Sequence, residues 1–458
     1  MRYGPLLQVG LFLTFLYAGL GVMLAFGGSD AVSDTENRAL APLPLWSIGK
    51  LRSGEYFRDL ENYWADHVAF RGALVSAGKR LTSWYGVAGK DDVILIASDA
   101  NNTGSGAIAA QTDETVSPAA TGPTAESGTA PASMGAGATP PPVGTPAPAP
   151  VPAPAPTPVS GEKERIVGKV LIVGDRAMNL FAHDPNAGTA YADVVNRFAD
   201  EAARRLGPDT SVTVLLAPTA AEWAQASAKR PLSDSQRQAI EDIYNRLRPR
   251  VRTVDAWTAL RDHGGQELYF RTDHHWTATG AYYAYAAFAG AAGMTPVALE
   301  RYETESVPGF LGSLYSATLS PRLRQNPDSV KLYKPFVSHE YTVHYSGPLR
   351  MNVLDMSHAS KTNKYRIFLS GDRPWGLIKT DSAHDRRIAV VKDSYGNAFV
   401  PFLLPHYKEI YVIDPRQFHI PLTDFLAERR IAEVLFLNDA EVSMYRGFTD
   451  QIDKLLRK

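Results

Sequence analysis

The chain contains no cysteine among its 458 residues. Disulfide bonds, thiolate metal ligands and a cysteine nucleophile are therefore excluded, so any covalent catalysis has to use an oxygen or nitrogen nucleophile. A chain of this length buries a core without disulfide support. The missing cysteine is also compatible with an oxidising compartment.

The sequence also lacks an excess of either charge. Lysine and arginine number 47 and aspartate and glutamate number 48, which gives a formal net charge of -1. Proteins that bind nucleic acid or anionic membrane surfaces electrostatically carry a pronounced positive excess. We therefore expect no nucleic acid partner.

A long uncharged apolar run extends from Leu6 to Phe26 near the start of the chain. A helix needs about 20 such residues to cross a bilayer, and Arg2 before the run favours an N-terminus in the cytoplasm. We predict a single-pass anchor within residues 1–32 that places the remaining chain on the extracytoplasmic side of the cell membrane. A cleaved signal peptide is the alternative, because small residues follow the run, and it exports the chain equally.

Two segments of different composition follow the apolar run. Residues 99–164 consist mainly of Ala, Pro, Gly, Ser and Thr, a composition that buries too little apolar surface to fold, so we expect a disordered insertion. Residues 33–98 are charged and aromatic, and their middle has the spacing of an amphipathic helix that packs on the main domain. The apolar positions of that helix are Phe57, Leu60, Tyr63, Trp64 and Val68.

Residues 165–458 constitute the main domain, because short apolar runs alternate there with helical periodicity. Such alternation favours an α/β fold with a mostly parallel sheet covered on both faces. In sheets of this kind, the catalytic and ligand-binding residues lie beyond the carboxyl ends of the strands. The predicted strands are 170–173, 212–216, 388–391, 410–413 and 434–437, and the predicted helices are 190–205, 235–247 and 279–292.

A predicted buried strand runs directly into the tetrapeptide Asp393-Ser394-Tyr395-Gly396, after which an apolar helical segment begins. A serine between a strand and a helix is exposed at the sheet edge, where main-chain N–H groups can hold an oxyanion. This placement suits a nucleophile. A plain helix cap is the alternative, because Asp and Ser fill that position routinely.

The stretch from Arg271 to Gly280 reads Arg-Thr-Asp-His-His-Trp-Thr-Ala-Thr-Gly. Asp273 lies two residues before His275, a spacing at which a carboxylate can orient an imidazole as a base, whereas His274 lacks this spacing. In the alternatives, the stretch caps the following helix while its histidines pack against aromatic residues, or the paired histidines bind a metal ion. No His-x-x-x-His or Glu-x-x-His pattern accompanies them, so we expect no metal and no other cofactor.

The Asp-His-His-Trp stretch and the later Val-Val-Lys-Asp-Ser-Tyr-Gly-Asn-Ala-Phe stretch together resemble the DHHW protein family, which is related to the alginate O-acetylation proteins. The resemblance extends over nearly all of the chain after the apolar run, apart from the insertion. Further landmarks in the family order are Glu36-Asn-Arg38, Asp66-His-Val-Ala-Phe-Arg71, Gly309-Phe-Leu-Gly-Ser-Leu-Tyr315 and Phe368-Leu-Ser-Gly-Asp372.

The resemblance implies an SGNH-hydrolase-like three-layer sandwich. It also implies that Ser394 is the nucleophile and that Asp273 and His275 complete a triad, which is the pair that spacing selects. In ordinary SGNH hydrolases the serine precedes the Asp/His pair; here the order is reversed, as in the permuted relatives. Geometry and not chain order defines a triad.

The oxyanion and substrate contacts are less narrowly defined. Main-chain N–H groups around Ser394 and Tyr395 are the first oxyanion candidates, and Gly371 is the second, because glycine lets a substrate approach the backbone closely. Asp372 stands where the family usually has Asn, and since an ionised carboxylate donates no hydrogen bond, it has another role or weakens catalysis. Aromatic residues could add a sugar-stacking surface, although at helical spacing they more often belong to the core. The further candidates for substrate contact are His274, Trp276 and Tyr315.

Two functions fit these features. In the first, an exported enzyme transfers or hydrolyses O-acetyl esters on a cell-surface polysaccharide through Ser394, His275 and Asp273, with an acetyl donor, such as a membrane acetyl-transfer protein, as its partner. In the second, a non-catalytic envelope protein keeps the fold and binds or assembles with glycan. The departure at Asp372 and the absence of any partner domain that would deliver acetyl groups favour this function. We favour the enzyme, because all three residue types of the triad are present.

Overall fold

The computed structural model describes residues 14, 17, 18, 32, 33, 38, 39, 41, 43–70, 165–167, 170–223, 233–345 and 347–456. The predicted disordered insertion and nearly all of the apolar run from Leu6 to Phe26 lie outside them. Among the residues that are described, no helix has the length and apolar character needed to cross a membrane. The anchor therefore stays a prediction.

Strands and helices follow one another along the described chain, and those from β3 and α3 onward belong to residues 165–458. The strands are β1 (Val32–Ser33), β2 (Arg38–Ala39), β3 (Arg165–Val167), β4 (Val170–Val173), β5 (Arg176–Asn179), β6 (Ser211–Ala217), β7 (Val251–Val254), β8 (Glu303–Phe310), β9 (Asp328–Lys334), β10 (His339–His344), β11 (Pro348–Met351), β12 (Trp375–Thr380), β13 (Arg387–Lys392), β14 (Glu409–Ile413) and β15 (Glu433–Asp439). The helices are α1 (Ile48–Ser53), α2 (Glu55–Asp66), α3 (Pro185–Leu206), α4 (Gln236–Tyr244), α5 (Ala256–Arg261), α6 (Ala278–Ala291), α7 (Ser313–Thr318), α8 (Pro321–Gln325), α9 (Gly396–Phe399), α10 (Leu422–Glu428) and α11 (Gly447–Leu456).

An eight-stranded sheet with the order β11-β10-β12-β14-β13-β15-β6-β7 forms the centre of the main domain. The strands from β14 to β7 run parallel, and β12, β10 and β11 add antiparallel neighbours. The chain therefore has a mixed α/β fold with a large sheet. The predicted strands at 212–216, 388–391, 410–413 and 434–437 are confirmed as β6, β13, β14 and β15.

Packed side chains cover both faces of the central strands. In β13 and β15 every residue after the first is buried, which requires covering layers on both sides of the sheet. On one side, Phe198 of α3 contacts Phe436 of β15 edge-on, with the ring centroids 5.1 Å apart. The predicted helices at 190–205, 235–247 and 279–292 are confirmed as α3, α4 and α6, of which α4 is shorter than predicted.

The apolar run at 170–173 forms a strand outside the large sheet, which corrects its prediction as a strand of the parallel sheet. β4 lies between β3 and β5 in a three-stranded antiparallel sheet. Gly174, at a φ of 58°, begins the two-residue Gly-Asp turn that joins β4 to β5, and this dipeptide between short strands is a hairpin signal. The run is apolar because Val170 and Ile172 pack into a small core of their own with Leu314.

The carboxyl ends of the parallel strands meet at one edge of the sheet. β13 ends at Lys392, β15 at Asp439 and β6 at Ala217. Asp393 and Ser394 are the first residues beyond β13. In α/β sheets, the loops at this edge form the catalytic and ligand-binding sites. The fold therefore places the predicted nucleophile, Ser394, at the edge where such sites form.

The predicted amphipathic helix of residues 33–98 is present as α2, and the short helix α1 precedes it. Two of its apolar side chains, Phe57 and Trp64, are 61% and 41% exposed. Packing of this segment on the main domain stays a prediction.

Replacing Phe198 by Ala opens a cavity between α3 and the sheet, so we expect the free energy of unfolding to fall by about 3–5 kcal/mol. Urea unfolding of the full chain, followed by circular dichroism, measures this change. The matched control is Phe57→Ala, which removes an exposed ring and is expected to change stability by less than about 0.5 kcal/mol. Equal effects of the two substitutions would contradict the packing.

Candidate active site

The side chain of Asp393 fixes the turn that carries Ser394. One of its carboxylate oxygens accepts the Tyr395 N–H at 2.9 Å, and the other accepts the Asp439 N–H at 2.8 Å. Because Asp439 ends β15, this carboxylate ties the serine turn to the neighbouring strand. Neither Asp393 nor Ser394 caps α9, which begins after Tyr395 without a side-chain cap, and the Ser394 hydroxyl has a different contact.

Asp328 fixes the loop that precedes the predicted base. Its buried carboxylate accepts the main-chain N–H groups of Arg271 at 2.9 Å and Thr272 at 2.8 Å, together with the Thr272 hydroxyl at 2.6 Å. The Tyr315 N–H donates to the Thr272 carbonyl oxygen at 3.0 Å. Because these bonds hold the main chain directly before Asp273, they determine where the Asp-His pair lies. Neither Asp328 nor its role could be identified from a local motif.

The structure brings Asp273, His275 and Ser394 together in one hydrogen-bonded relay. His275 Nδ1 lies 2.6 Å from Asp273 Oδ1, and His275 Nε2 lies 2.7 Å from Ser394 Oγ. Since an ionised carboxylate only accepts hydrogen bonds, the proton of His275 is on Nδ1, and Ser394 donates its hydroxyl hydrogen to Nε2. These are the distances expected of a nucleophile and its base.

Asp273 is ionised although it is buried. Burial raises the pKa of Asp273, but the net shift is to well below the ordinary value. The causes that lower it are the neighbouring His275 and His274 and the hydrogen bonds that the carboxylate accepts from His275 and from the Ser313 N–H. The Ser313 N–H reaches Asp273 Oδ2 at 2.8 Å. Gly312 makes this approach possible, because a Cβ atom at that position would lie 2.3 Å from the Cβ atom of Asp273.

The two motif stretches interlock beside the relay. Trp276 Nε1 donates to the Tyr395 carbonyl oxygen at 2.9 Å, and the Tyr395 hydroxyl donates to the His274 carbonyl oxygen at 2.6 Å. Both aromatic side chains are fully buried. They hold the two loops together, and a contact between Trp276 and substrate stays a prediction.

Two rings enclose the imidazole of His275. The Tyr365 ring lies parallel to it, with centroids 3.7 Å apart and planes 7° apart, and the His274 ring lies 3.8 Å away at 37°. Rings this close on the same side would collide, so they lie on opposite faces. The Tyr365 hydroxyl also donates to the Ser394 carbonyl oxygen at 3.1 Å. Sequence reasoning missed Tyr365, which belongs to no motif.

His274 is a neutral neighbour of the relay. Burial and the adjacent His275 lower its pKa to about 4. Its Nδ1 atom lies 2.6 Å from the hydroxyl oxygen of Ser313. Its Nε2 atom is buried and has no hydrogen-bond partner within the described parts of the chain. A contact between His274 and substrate stays a prediction.

The predicted oxyanion donors differ in whether their N–H groups are engaged. The Tyr395 N–H donates to Asp393, and the Gly371 N–H donates to the Phe368 carbonyl oxygen at 3.1 Å. Across the residues that the structure describes, the Ser394 N–H has no hydrogen-bond acceptor. Of the three predicted N–H groups, only that of Ser394 can therefore serve an oxyanion without breaking a protein hydrogen bond.

Asp372 pairs with the buried Lys392 and the half-buried Arg416 beside the serine turn. Its Oδ1 atom accepts Lys392 Nζ at 2.6 Å and Asn397 Nδ2 at 2.9 Å, and its Oδ2 atom accepts an Arg416 N–H at 2.8 Å. Burial raises the pKa of Asp372, but Lys392 and Arg416 lower it well below its ordinary value. The departure from the family Asn therefore has a structural role, the first of the two alternatives left open by the sequence.

Asp273, His274 and His275 offer ligand atoms within 4.8 Å of one another, a spacing that could hold a metal ion. Asp273 and His275 already use these atoms in the relay, and His274 Nδ1 contacts Ser313. A metal ion on this set would replace the hydrogen bond between base and carboxylate. We therefore assign the cluster to the relay.

The family profile described as DHHW protein matches residues 149–413, more than half of the chain, and this range includes both motif stretches. A comparison with curated proteins finds no match.

The solved structures that are similar to this chain include the following three. A DHHW family protein from Eubacterium siraeum is 29% identical, with 64% of this chain and 98% of that chain covered and a TM-score of 0.58. PatB1 from Bacillus cereus is 18% identical, with 62% and 97% covered and a TM-score of 0.51. The O-acetyltransferase domain of AlgJ from Pseudomonas putida is 16% identical, with 63% and 96% covered and a TM-score of 0.35. The first two share the mixed α/β fold.

Replacing Asp372 by Asn leaves the buried Lys392 without its counter-charge, so we expect the free energy of unfolding to fall by about 3–5 kcal/mol at neutral pH. Folding lowers the pKa of Asp372. Its contribution is therefore complete above its unfolded pKa of about 3.9 and is lost as the pH falls further. Urea unfolding at neutral pH and near pH 3 measures the difference between wild type and variant, which should shrink below about pH 4.

The matched control for this substitution is Asp385→Asn. The Asp385 side chain is 83% exposed and lies 3.5 Å from Lys408, and exposed pairs of this kind contribute little. We expect no measurable change in stability at either pH. A difference between wild type and Asp372→Asn that stays constant across the pH range would contradict the role of the charge.

Proposed function

This chain belongs to the DHHW protein family, and on that premise we propose that it is an exported serine enzyme that transfers or hydrolyses O-acetyl esters on a cell-surface polysaccharide. One observation carries the proposal: the unbroken relay from Asp273 through His275 to Ser394. The relay supplies an oriented base, a nucleophile, and a carboxylate that stabilises the protonated base, which are the parts that covalent acyl transfer requires.

In the first half of the reaction, Ser394 Oγ attacks the carbonyl carbon of an acetyl ester while His275 Nε2 takes the hydroxyl proton. The ionised Asp273 stabilises the resulting imidazolium through Nδ1. When the tetrahedral intermediate collapses, the bond between the carbonyl carbon and the leaving alcohol breaks, and His275 returns the proton to that alcohol. The acetyl group remains on Ser394 as an ester.

In the second half, an acceptor hydroxyl occupies the place of the leaving alcohol. His275 Nε2 removes the proton of this hydroxyl while the hydroxyl oxygen attacks the acetyl carbon. When the tetrahedral intermediate collapses, the bond between the acetyl carbon and Ser394 Oγ breaks, and His275 returns the proton to Ser394. A sugar hydroxyl as acceptor gives acetyl transfer, and water gives hydrolysis. The proposal includes both outcomes because they differ only in the acceptor.

We assign the Ser394 N–H to the oxyanion that forms in both halves. Within the described chain the Ser394 N–H has no hydrogen-bond acceptor, whereas the N–H groups of Tyr395 and Gly371 already donate to protein oxygens. A fixed donor of this kind lowers the barrier by about 3 kcal/mol.

The substrate, partner and location rest on the sequence. The family resemblance of the two motif stretches supports the acetyl group and the polysaccharide, and an acetyl donor, such as a membrane acetyl-transfer protein, is the expected partner. The apolar run from Leu6 to Phe26 supports the extracytoplasmic location. An SGNH-hydrolase-like three-layer sandwich belongs to the same proposal, and the burial of both faces of the sheet supports it.

The non-catalytic alternative is favoured by Asp372, which stands where the family usually has Asn. The contacts of that carboxylate with Lys392 and Arg416 account for the departure. Nothing else among the described residues favours a scaffold over an enzyme, so we keep the enzymatic proposal alone.

Hydrolysis of a chromogenic acetyl ester by the full chain tests the proposal. Substituting Ser394 by Ala, or His275 by Ala, removes an essential member of the relay, so we expect kcat/KM to fall by at least about 10³-fold in each variant while the fold is retained. A sulfonyl fluoride should add one label to the wild type, detected by intact mass, and none to Ser394→Ala.

Matched controls are Ser306→Ala and His419→Ala, which change exposed residues outside the relay. Both are expected to hydrolyse the ester and take the label as the wild type does. Hydrolysis or labelling that persists in Ser394→Ala would refute the assignment of the nucleophile.

A further inference from the structure

One side chain contacts both partners of the proposed proton transfer. The Tyr365 ring lies 3.7 Å from the His275 ring, with the planes 7° apart, and the Tyr365 hydroxyl donates to the Ser394 carbonyl oxygen at 3.1 Å. Tyr365 itself is buried, within the short turn Lys364–Ile367. The separation of base and nucleophile therefore depends on where this one residue lies.

The ring contact restricts a motion that the hydrogen bonds leave open. The bond between His275 Nδ1 and Asp273 fixes one edge of the imidazole, but the ring can still tilt about that edge, because the ring torsion of histidine is broad. Tyr365 on one face and His274 on the other prevent the tilt. Nε2 then stays at 2.7 Å from the hydroxyl oxygen of Ser394.

The same ring favours the protonated base. An imidazolium over the face of an aromatic ring is attracted by the ring's quadrupole, most strongly where water is excluded. His274, whose pKa lies at about 4, adds no competing positive charge. Burial holds the pKa values of Tyr365 and Tyr395 well above the ordinary tyrosine value, so neither side chain adds a negative charge. The groups that face His275 are Asp273 and His274 of its own loop, Tyr365, and Ser394 and Tyr395 of the serine turn.

The hydroxyl contact restricts the nucleophile. The Ser394 carbonyl oxygen accepts the Tyr365 hydroxyl and also the Asn397 N–H, at 3.1 Å each. Two donors on one carbonyl fix the plane of the peptide that follows Ser394. The orientation of this peptide group in turn determines how the serine turn faces His275.

We propose that Tyr365 is the positioning residue of this site, aligning His275 through its ring and the Ser394 turn through its hydroxyl, and stabilising the imidazolium that forms in each half-reaction. The inference rests on the proposed function. The ring and the hydroxyl have separate tasks, so two substitutions distinguish them.

Tyr365→Phe keeps the ring and removes the hydroxyl. We expect kcat/KM for the chromogenic acetyl ester to fall about fivefold, the effect of one neutral hydrogen bond, with the titration of His275 unchanged. Tyr365→Leu removes the ring as well. We expect kcat to fall by about 10–100-fold with little change in KM, and the titration midpoint of His275 to move about one pH unit lower, because the imidazolium loses its aromatic partner.

NMR of the full chain with 15N-labelled histidine follows the titration, and His275→Ala assigns the signal. The matched control is Tyr283→Leu, which removes a comparable stack outside the site, since Tyr283 lies 3.6 Å from His263 with the planes 17° apart. This control is expected to leave both kcat and the His275 titration as in the wild type.

An unchanged His275 titration in Tyr365→Leu would overturn the proposal, and so would equal losses of activity in Tyr365→Leu and Tyr283→Leu. A Tyr365→Phe variant as active as the wild type would overturn the role of the hydroxyl. A wild type that hydrolyses no ester would refute the proposed function, but the NMR titration needs no turnover and still decides whether the ring positions and stabilises His275.

Discussion

The arrangement of the site depends on one hydrogen bond of 2.7 Å between two residues that lie 119 positions apart in the chain. A contact of this length tolerates little displacement, so each partner needs an anchor of its own. Asp328 holds the main chain before His275, and Asp393 holds the turn at Ser394. Both anchors are buried carboxylates that accept main-chain N–H groups, which gives the loops a rigidity that the ends of strands do not provide.

A row of buried and half-buried charges lies beside the serine turn. Lys392, Asp372, Arg416 and Asp414 follow one another in contact, so that cations and carboxylates alternate. Any one of these ions would be costly to bury alone. In alternation the cations and carboxylates compensate one another, so no charge beside the serine turn is left without a partner of opposite sign.

Features with a local signal could be predicted from the sequence, whereas features created by tertiary packing could not. The central strands follow from their apolar runs, and the Asp-x-His pair follows from its spacing. The run at 170–173 has the same apolar character as those strands, and only the Gly-Asp turn after it signals a hairpin. The departure at Asp372 was visible, but its reason required the contacts with Lys392 and Arg416. Tyr365 was not visible, because stacking on His275 has no sequence periodicity.

The strand order has a consequence for when the site comes into existence. β13, which leads into Ser394, lies between β14 and β15, and β15 also joins β13 to β6. Both neighbours follow β13 in the chain, and β15 ends at Asp439, which anchors the serine turn. A growing chain therefore carries its motif residues long before they can meet. The relay can assemble only after β15 has been synthesised, so the topology itself keeps Ser394 and His275 apart in a chain that is still growing.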